Sequence, residues 1–159
     1  MAIYPIIIVF LWTLIPALEL RASIPIGILK YDLSWQVAFI TATAANILIA
    51  PITYLFLDKV MHIFRRIRWI DKVYRYYVER TQKKIHDSVE KYGEWALALF
   101  IGVPLPATGI YSGMLAAYVM GLDFKRSMIA AALGVLIAAV IVTVVTLTGA
   151  EAWSFLIKY

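Results

Sequence analysis

Residues 99–126 read LFIGVPLPATGIYSGMLAAYVMGLDFKR, and this stretch decides how the chain is built. It is apolar, but Pro104 and Pro106 interrupt it near the middle, and Gly109 and Gly113 follow. Proline removes a backbone donor and disfavours helix at the residue before it. Broken backbone at membrane depth is tolerated only where protein buries it or where it lines a cavity. The stretch is therefore either a kinked membrane crossing or a re-entrant hairpin.

The distribution of positive charge favours the hairpin. Residues 58–94 carry ten Lys or Arg against six Asp or Glu, which is four of the five net positive charges. The positive-inside rule makes this segment cytoplasmic. A hairpin returns Lys125 and Arg126 to that same side, whereas a crossing would place them outside. The hairpin arms, residues 95–103 and 110–122, measure about 13 Å and about 20 Å, so neither arm spans a bilayer alone.

Composition places the rest of the chain in a membrane as well. Hydrophobic residues make up 63% of the 159 positions, against about half in a soluble domain. Residues 33–57 and 127–149 are uncharged and long enough to cross the hydrocarbon. The linker between the halves, 58–94, has apolar residues at helical spacing, which predicts amphipathic helices along the membrane surface. A docking surface for anionic lipids is the alternative for this linker.

The two halves look like an inverted repeat within one membrane domain, 1–159. The segment LSWQVAFITATAA at 33–45 aligns with LDFKRSMIAAALG at 122–134, and each follows a broken segment and opens a crossing. The expected fold is all-α and integral to the membrane. Each repeat, 1–57 and 95–159, is a re-entrant helical hairpin plus a transmembrane helix, as in many secondary transporters. The first hairpin would have arms 3–18 and 23–30; in the alternative, 2–18 cross once and 19–32 form a solvated outer loop.

Glu19 and Arg21 are the candidate functional pair. An ionised side chain at the bilayer centre costs roughly 2.5–3.5 kcal/mol, so a retained one usually marks a substrate or ion pathway. The planar donor fork of Arg21 suits phosphate or carboxylate. Glu19, if desolvated, favours its protonated form, and the neighbouring Arg21 opposes this. The sequence predicts an anion on Arg21 coupled to a proton on Glu19, with both side chains on one side of an extended or broken backbone.

Other polar and small residues give weaker indications. Asn46 lies one helical turn after Thr43 in a crossing, and it is predicted to bind substrate or to make an interhelical hydrogen bond. Ala130, Gly134 and Ala138 predict a packing seam inside the fold or between two copies. The chain has no cysteine, its two histidines fit no metal spacing, and it lacks a nucleophile elbow, so we expect no metal, no cofactor and no enzyme activity.

Two motifs together resemble a known family. ELRASIPIGI at 19–28, followed by PLPATGIYSG at 104–113, resembles the small multi-drug export protein family of prokaryotes, itself similar to the DedA/VTT membrane superfamily. The matching positions are Glu19, Arg21, Pro25, Gly27, Pro104, Pro106, Thr108, Gly109 and Gly113, whereas Ala22, Ala107 and Tyr111 depart from the pattern.

The resemblance implies two re-entrant segments that face each other in a prokaryotic plasma membrane. It places the re-entrant turns at Pro25, Gly27, Pro104, Pro106, Gly109 and Gly113, and it adds Thr108 to Arg21 and Asn46 as a substrate ligand. The superfamily is associated with lipid movement driven by the proton motive force, which is an analogy at the level of the fold.

The expected function is that of a multi-pass secondary transporter or flippase. It is proton-linked and moves an amphiphilic anion such as a phosphorylated lipid. The alternatives are an exporter of hydrophobic cationic drugs, in which Glu19 binds the drug, and a non-transporting scaffold. The expected partners are membrane lipids, the amphiphilic substrate and a second copy in a homodimer; no nucleic acid is expected.

Overall fold

The computed structural model describes residues 3–16, 18–64, 80–104 and 108–157. These residues form six α-helices and no β-strand. The helices are α1 (Ile3–Thr13), α2 (Glu19–Leu29), α3 (Trp35–Phe64), α4 (Arg80–Gly102), α5 (Ile110–Met120) and α6 (Phe124–Ile157). The all-helical prediction is therefore confirmed for the described part of the chain. Residues 65–79 of the predicted linker and Pro106 lie outside the described residues.

Two helices are long and apolar enough to cross a membrane. They contain the spans Trp35–His62 in α3, with 28 residues, and Phe124–Gly149 in α6, with 26 residues. The predicted crossings 33–57 and 127–149 therefore coincide with the two helices whose length and apolar composition suit a membrane span. Helix α3 continues past residue 57 to Phe64 and α4 is helical from Arg80, so both described ends of the predicted linker 58–94 are helical.

The first predicted hairpin arm, 3–18, is wrong in its length. Helix α1 has 11 residues, about 16 Å, and it ends at Thr13 because Pro16 disfavours helix in the residues before it. The single-crossing alternative is wrong as well. Helix α1 is too short to span about 30 Å of hydrocarbon, and the supposed outer loop 19–32 contains α2.

Helices α1 and α2 pack as an antiparallel pair. A Cβ on Gly27 would lie 2.8 Å from Cγ2 of Val9, and the hydroxyls of Thr13 and Ser23 are hydrogen-bonded at 2.6 Å. Thr13 donates to the carbonyl of Val9 at 2.7 Å, so its hydroxyl accepts from Ser23. The two contacts run in opposite order along the two helices, which fixes the antiparallel direction.

Pro25, Gly27 and Gly113 do not form turns, and these three assignments are corrected. Pro25 and Gly27 lie inside α2, and Gly113 lies inside α5. Glycine at 27 and at 113 instead allows close approach of a neighbouring helix, since a Cβ on Gly113 would collide with Ile101 of α4. Helices in apolar surroundings tolerate an internal proline when neighbouring groups satisfy the freed backbone.

Helix α6 forms the base against which the second half packs. A Cβ on Gly134 would lie 2.7 Å from the carbonyl oxygen of Ala98 in α4. Ala130 and Ala138, on the same seam, are buried, so this seam packs within the fold. At the start of α6, Tyr54 of α3 donates to the carbonyl of Leu122 at 2.8 Å. The late part of α3 therefore lies beside the beginning of α6.

Candidate functional site

The two helix breaks meet. On one side, Leu14 lies in the connection between α1 and α2, and Glu19 and Arg21 lie in the first turn of α2. The residues that face them lie in the connection between α4 and α5 and in the first turn of α5: Val103, Thr108, Gly109, Ile110 and Tyr111. We call these eight residues the junction. The hydrogen bonds between the two breaks join positions that are 82 to 97 apart in sequence.

Glu19 is the buried charge of the junction. Its relative exposure is 6%, and it is the only charged residue among the buried residues that the structure describes. Its Oε2 accepts a hydrogen bond from the backbone N–H of Ile110 at 3.3 Å. The carboxylate therefore lies against the N-terminus of α5, where the helix dipole stabilises negative charge.

The backbone on both sides of this contact is unusual. Glu19 has a φ of 47°, a left-handed conformation that costs a non-glycine residue of order 1–3 kcal/mol. Gly109 has φ 150° and ψ −170°, a region essentially restricted to glycine. A Cβ at Gly109 would lie 2.7 Å from Oε1 of Glu19. Glycine at 109 thus allows the carboxylate to lie directly on the main chain.

Arg21 connects the two breaks through its side chain. Its Nη2 donates to Oγ1 of Thr108 at 2.7 Å and to the carbonyl of Val103 at 3.3 Å. Thr108 in turn donates to the carbonyl of Val103 at 2.7 Å. The hydroxyl of Thr108 is therefore the acceptor in its bond with Arg21, because its single proton goes to Val103.

Glu19 and Arg21 reach the junction from the first turn of a helix and not from an extended strand. Both belong to α2, so the backbone at this pair is not extended, whereas the φ of 47° at Glu19 agrees with the alternative prediction of a broken backbone. The two charges interact electrostatically across the junction, and Glu19 also interacts with Tyr111.

The junction lies level with the middle of the apolar part of α6. Gly102, the last residue of α4, packs on Ile137, since its Cβ would lie 2.9 Å from Cγ2 of that residue. Ile137 is the fourteenth of the 26 residues in the span Phe124–Gly149. Val103, the next residue after Gly102, accepts from Arg21. Arg21 is therefore near the mid-level of this span rather than at its end.

Asn46 lies apart from the junction hydrogen bonds. It is 1% exposed on α3, and its Oδ1 has no hydrogen-bond partner among the described residues. The hydroxyl of Thr43, one helical turn earlier, is unpartnered in the same sense. The predicted interhelical hydrogen bond of Asn46 is thus not made by this oxygen. Its assignment as a substrate ligand stays a prediction.

Two sets of contacts were not predicted from the sequence. Tyr111 donates to the carbonyl of Leu14 and so adds a fourth hydrogen bond between the breaks. The hydroxyl pair of Thr13 and Ser23, both 0% exposed, joins the arms just before Glu19 and just after Arg21. The sequence signal that could have predicted this pair is that Thr13 and Ser23 are isolated hydroxyl residues in very apolar arms. Among the described residues, no cluster of three or more His, Asp or Glu could hold a metal ion.

Two apolar spans together with short helices that meet at a charged junction define a helical membrane protein. The family described as "Putative small multi-drug export protein" matches residues 19–141. The chain belongs to this family, and the resemblance drawn from the two motifs is confirmed to that extent. The family name is that of an exporter, a kind of transporter. No curated protein and no solved structure matches the chain.

Proposed function

We propose that the protein is a secondary transporter or flippase of the prokaryotic plasma membrane that moves an amphiphilic anion, such as a phosphorylated lipid, with a linked proton. Arg21 holds the anionic group and Glu19 carries the proton. The observation that carries the proposal is the junction itself, where a buried carboxylate and a guanidinium lie between two broken helices. Ionised groups inside a membrane are costly and usually serve a substrate or ion pathway.

A re-entrant arrangement of the second half supports this proposal. Glu94 of α4 pairs with Arg126 at the start of α6, and Gly102 packs on Ile137 further along α6. Helix α4 thus runs parallel to α6 from Glu94 to Gly102, beside residues 126–137 of α6. Helix α5 then leads back to Leu122, which lies beside Tyr54. A segment that enters to mid-level and returns to its side of entry is a re-entrant hairpin.

The first half has the corresponding order of parts. Helices α1 and α2 form an antiparallel pair, and the long helix α3 follows. The late part of α3 lies beside the start of α6, since Tyr54 bonds to Leu122. This contact is the one expected if the two long helices run in opposite directions. Two copies of one plan in opposite orientation form the inverted repeat of many secondary transporters, whose sites lie where broken helices meet. The kinship with the DedA/VTT superfamily belongs to this proposal.

The chemistry of Arg21 favours an anion as substrate. A guanidinium offers five donors in a rigid fork that matches phosphate and carboxylate. The N-terminus of α5, at Gly109 and Ile110, presents backbone N–H groups to the same space. Both features attract negative charge. We therefore place the headgroup of the substrate at the junction and its apolar tail among the membrane lipids. The proposal also includes a homodimer of two copies of the chain.

The family name supports a second candidate, export of hydrophobic cationic drugs. In that case the carboxylate of Glu19 binds the cation, and Arg21 neutralises the carboxylate in the empty site. The two candidates differ in the sign of the substrate charge, so one experiment separates them. Neither candidate requires the chain to be an enzyme.

The test is transport by purified protein in liposomes, with and without a pH gradient. Two probes are compared, a fluorescent phosphatidic acid and a hydrophobic cationic dye. We expect lipid translocation that depends on the gradient and falls at least about tenfold in Arg21→Ala, because a buried charge-assisted contact is lost. Lys30→Ala removes an exposed positive charge just after the same helix and is the matched control.

Loss of fold is separated from loss of function by a second variant. Arg21→Lys retains the charge but not the fork, and we expect it to stay inserted and monodisperse with reduced lipid translocation. Transport of the dye alone supports the drug exporter and refutes the anionic substrate. An inserted wild-type protein that moves neither probe supports the scaffold, as does unfolding of every Arg21 variant together with absence of transport.

A further inference from the structure

We propose that the carboxylate of Glu19 occupies the place that the anionic group of the substrate takes during transport. The carboxylate and the substrate then exclude each other at the N-terminus of α5. The substrate enters only when Glu19 has accepted a proton, so each bound negative charge requires the uptake of one proton. This inference rests on the proposed function, in which the substrate is an anion.

The contacts around residues 108–110 carry the first step. The N–H of Ile110 donates to Oε2 of Glu19, and the missing side chain of Gly109 leaves room for Oε1. Next to them, Thr108 accepts from Arg21 at 2.7 Å. The N–H of Ile110 and the guanidinium of Arg21 are the two donors available to an anion, and both are in contact with segment 108–110. The carboxylate of Glu19 already occupies the position next to the N–H of Ile110.

The charge balance carries the second step. Among the described residues, the groups that interact electrostatically with Glu19 are Arg21, on α2 itself, and Tyr111 on α5. The described residues of α1, α3 and α6 add no charged group to these interactions. With Glu19 ionised, the pair is neutral, and a bound anion would leave one unbalanced negative charge beside the buried carboxylate. With Glu19 protonated, the anion and Arg21 balance each other.

Burial makes this balance strict. The relative exposure of Glu19 is 6%, so water screens this carboxylate poorly. An uncompensated charge in such surroundings is costly, and the group shifts its protonation instead. A freed N–H of Ile110 and the guanidinium of Arg21 then both offer donors to the oxygen atoms of the anion. The ligand chemistry is a single anionic group with at least two acceptor oxygens.

The test measures anion binding by titration calorimetry in neutral detergent micelles. The probe is octyl sulfonate, whose charge does not change between about pH 5 and pH 8, so any pH dependence belongs to the protein. We expect binding to weaken with rising pH, approaching tenfold per unit above the titration of Glu19. In the pH range where binding weakens, repeating the titration in buffers of different ionisation enthalpy should show uptake of about one proton per anion. This stoichiometry is measured on the unaltered protein.

Glu19→Gln gives the sharpest comparison. Glutamine is neutral and its carbonyl still accepts from Ile110, so binding should be independent of pH and accompanied by no proton uptake. Glu94→Gln, a half-exposed acid paired with Arg126, is the matched control and should keep the pH dependence of the wild type.

The outcomes separate the two proposals. Binding by the unaltered protein without pH dependence or proton uptake overturns the competition but leaves an anionic substrate in place. Persistent pH dependence in a folded Glu19→Gln protein also overturns it. If octyl sulfonate binds at no pH, and octyl trimethylammonium binds instead, the anionic substrate fails and this inference fails with it.

Discussion

Gly109→Ala tests whether glycine is required at position 109 for the contact between the main chain and the Glu19 carboxylate. The change has two costs. The φ of 150° and ψ of −170° at Gly109 suit glycine alone, which costs an alanine of order 1–3 kcal/mol. The new Cβ also displaces the carboxylate, since it would lie 2.7 Å from Oε1. The displaced group loses its bond from Ile110.

The second cost is set by the length of that bond. Hydrogen bonds to charged groups contribute about 1.5–3 kcal/mol. The bond from Ile110 to Glu19 is long for its type, at 3.3 Å, so the lower value applies. The total expected loss in the free energy of unfolding is roughly 2.5–4.5 kcal/mol. We would measure it by circular dichroism during reversible unfolding in mixed micelles with a rising fraction of dodecyl sulfate.

A control and a double variant make the result specific. Gly149→Ala adds a Cβ that meets nothing within 4 Å, inside α6 near its C-terminal end, and it should not destabilise the protein. In a Glu19→Ala background, Gly109→Ala should lose only the backbone part of its cost, which leaves a coupling of about 1.5 kcal/mol. The reasoning is refuted if Gly109→Ala is as stable as the wild type, or if its cost is the same with and without the carboxylate.

Two further changes test the packing that positions the junction. Gly134→Ala places a Cβ 2.7 Å from the carbonyl oxygen of Ala98 and 2.7 Å from Cβ of Ile101, so α4 must move away from α6. We expect the free energy of unfolding to fall by about 1–3 kcal/mol, which lowers the thermal unfolding midpoint. An unchanged midpoint would contradict this expectation. Tyr54→Phe removes the 2.8 Å hydrogen bond to Leu122 while keeping the ring. We expect the free energy of unfolding to fall by about 0.5–1.5 kcal/mol, measured in the same way. An unchanged stability would show that this bond does not stabilise the fold.

The helix breaks were predictable because proline acts locally. Pro104 follows the end of α4 by two residues, and Pro16 follows the end of α1 by three. The same reasoning failed at Pro25, which lies inside α2. A proline limits its neighbours, but packing by surrounding helices decides whether the helix continues past it. Sequence alone therefore located two breaks correctly and displaced the boundaries of the first.

The glycines show a second limit of local reasoning. Gly109 was assigned to a turn and has the backbone of one, whereas Gly27 and Gly113 are packing positions inside helices. Glycine is favoured both where φ is positive and where another chain approaches closely, and the two uses look alike in sequence. Arg21 and Thr108 were both named from motifs, but their 2.7 Å contact depends on how the two halves pack.

The span of the junction contacts has a consequence for how the protein is made. Arg21 and Thr108 are 87 positions apart, and Tyr111 and Leu14 are 97 apart. Ribosomes add about 5–20 residues per second, so the first half waits roughly 5–20 s for its partners to be synthesised. During that time Glu19 and Arg21 lack the residues that hydrogen-bond to them in the finished protein. The first half therefore reaches its final packing only after residues 103–111 have been synthesised.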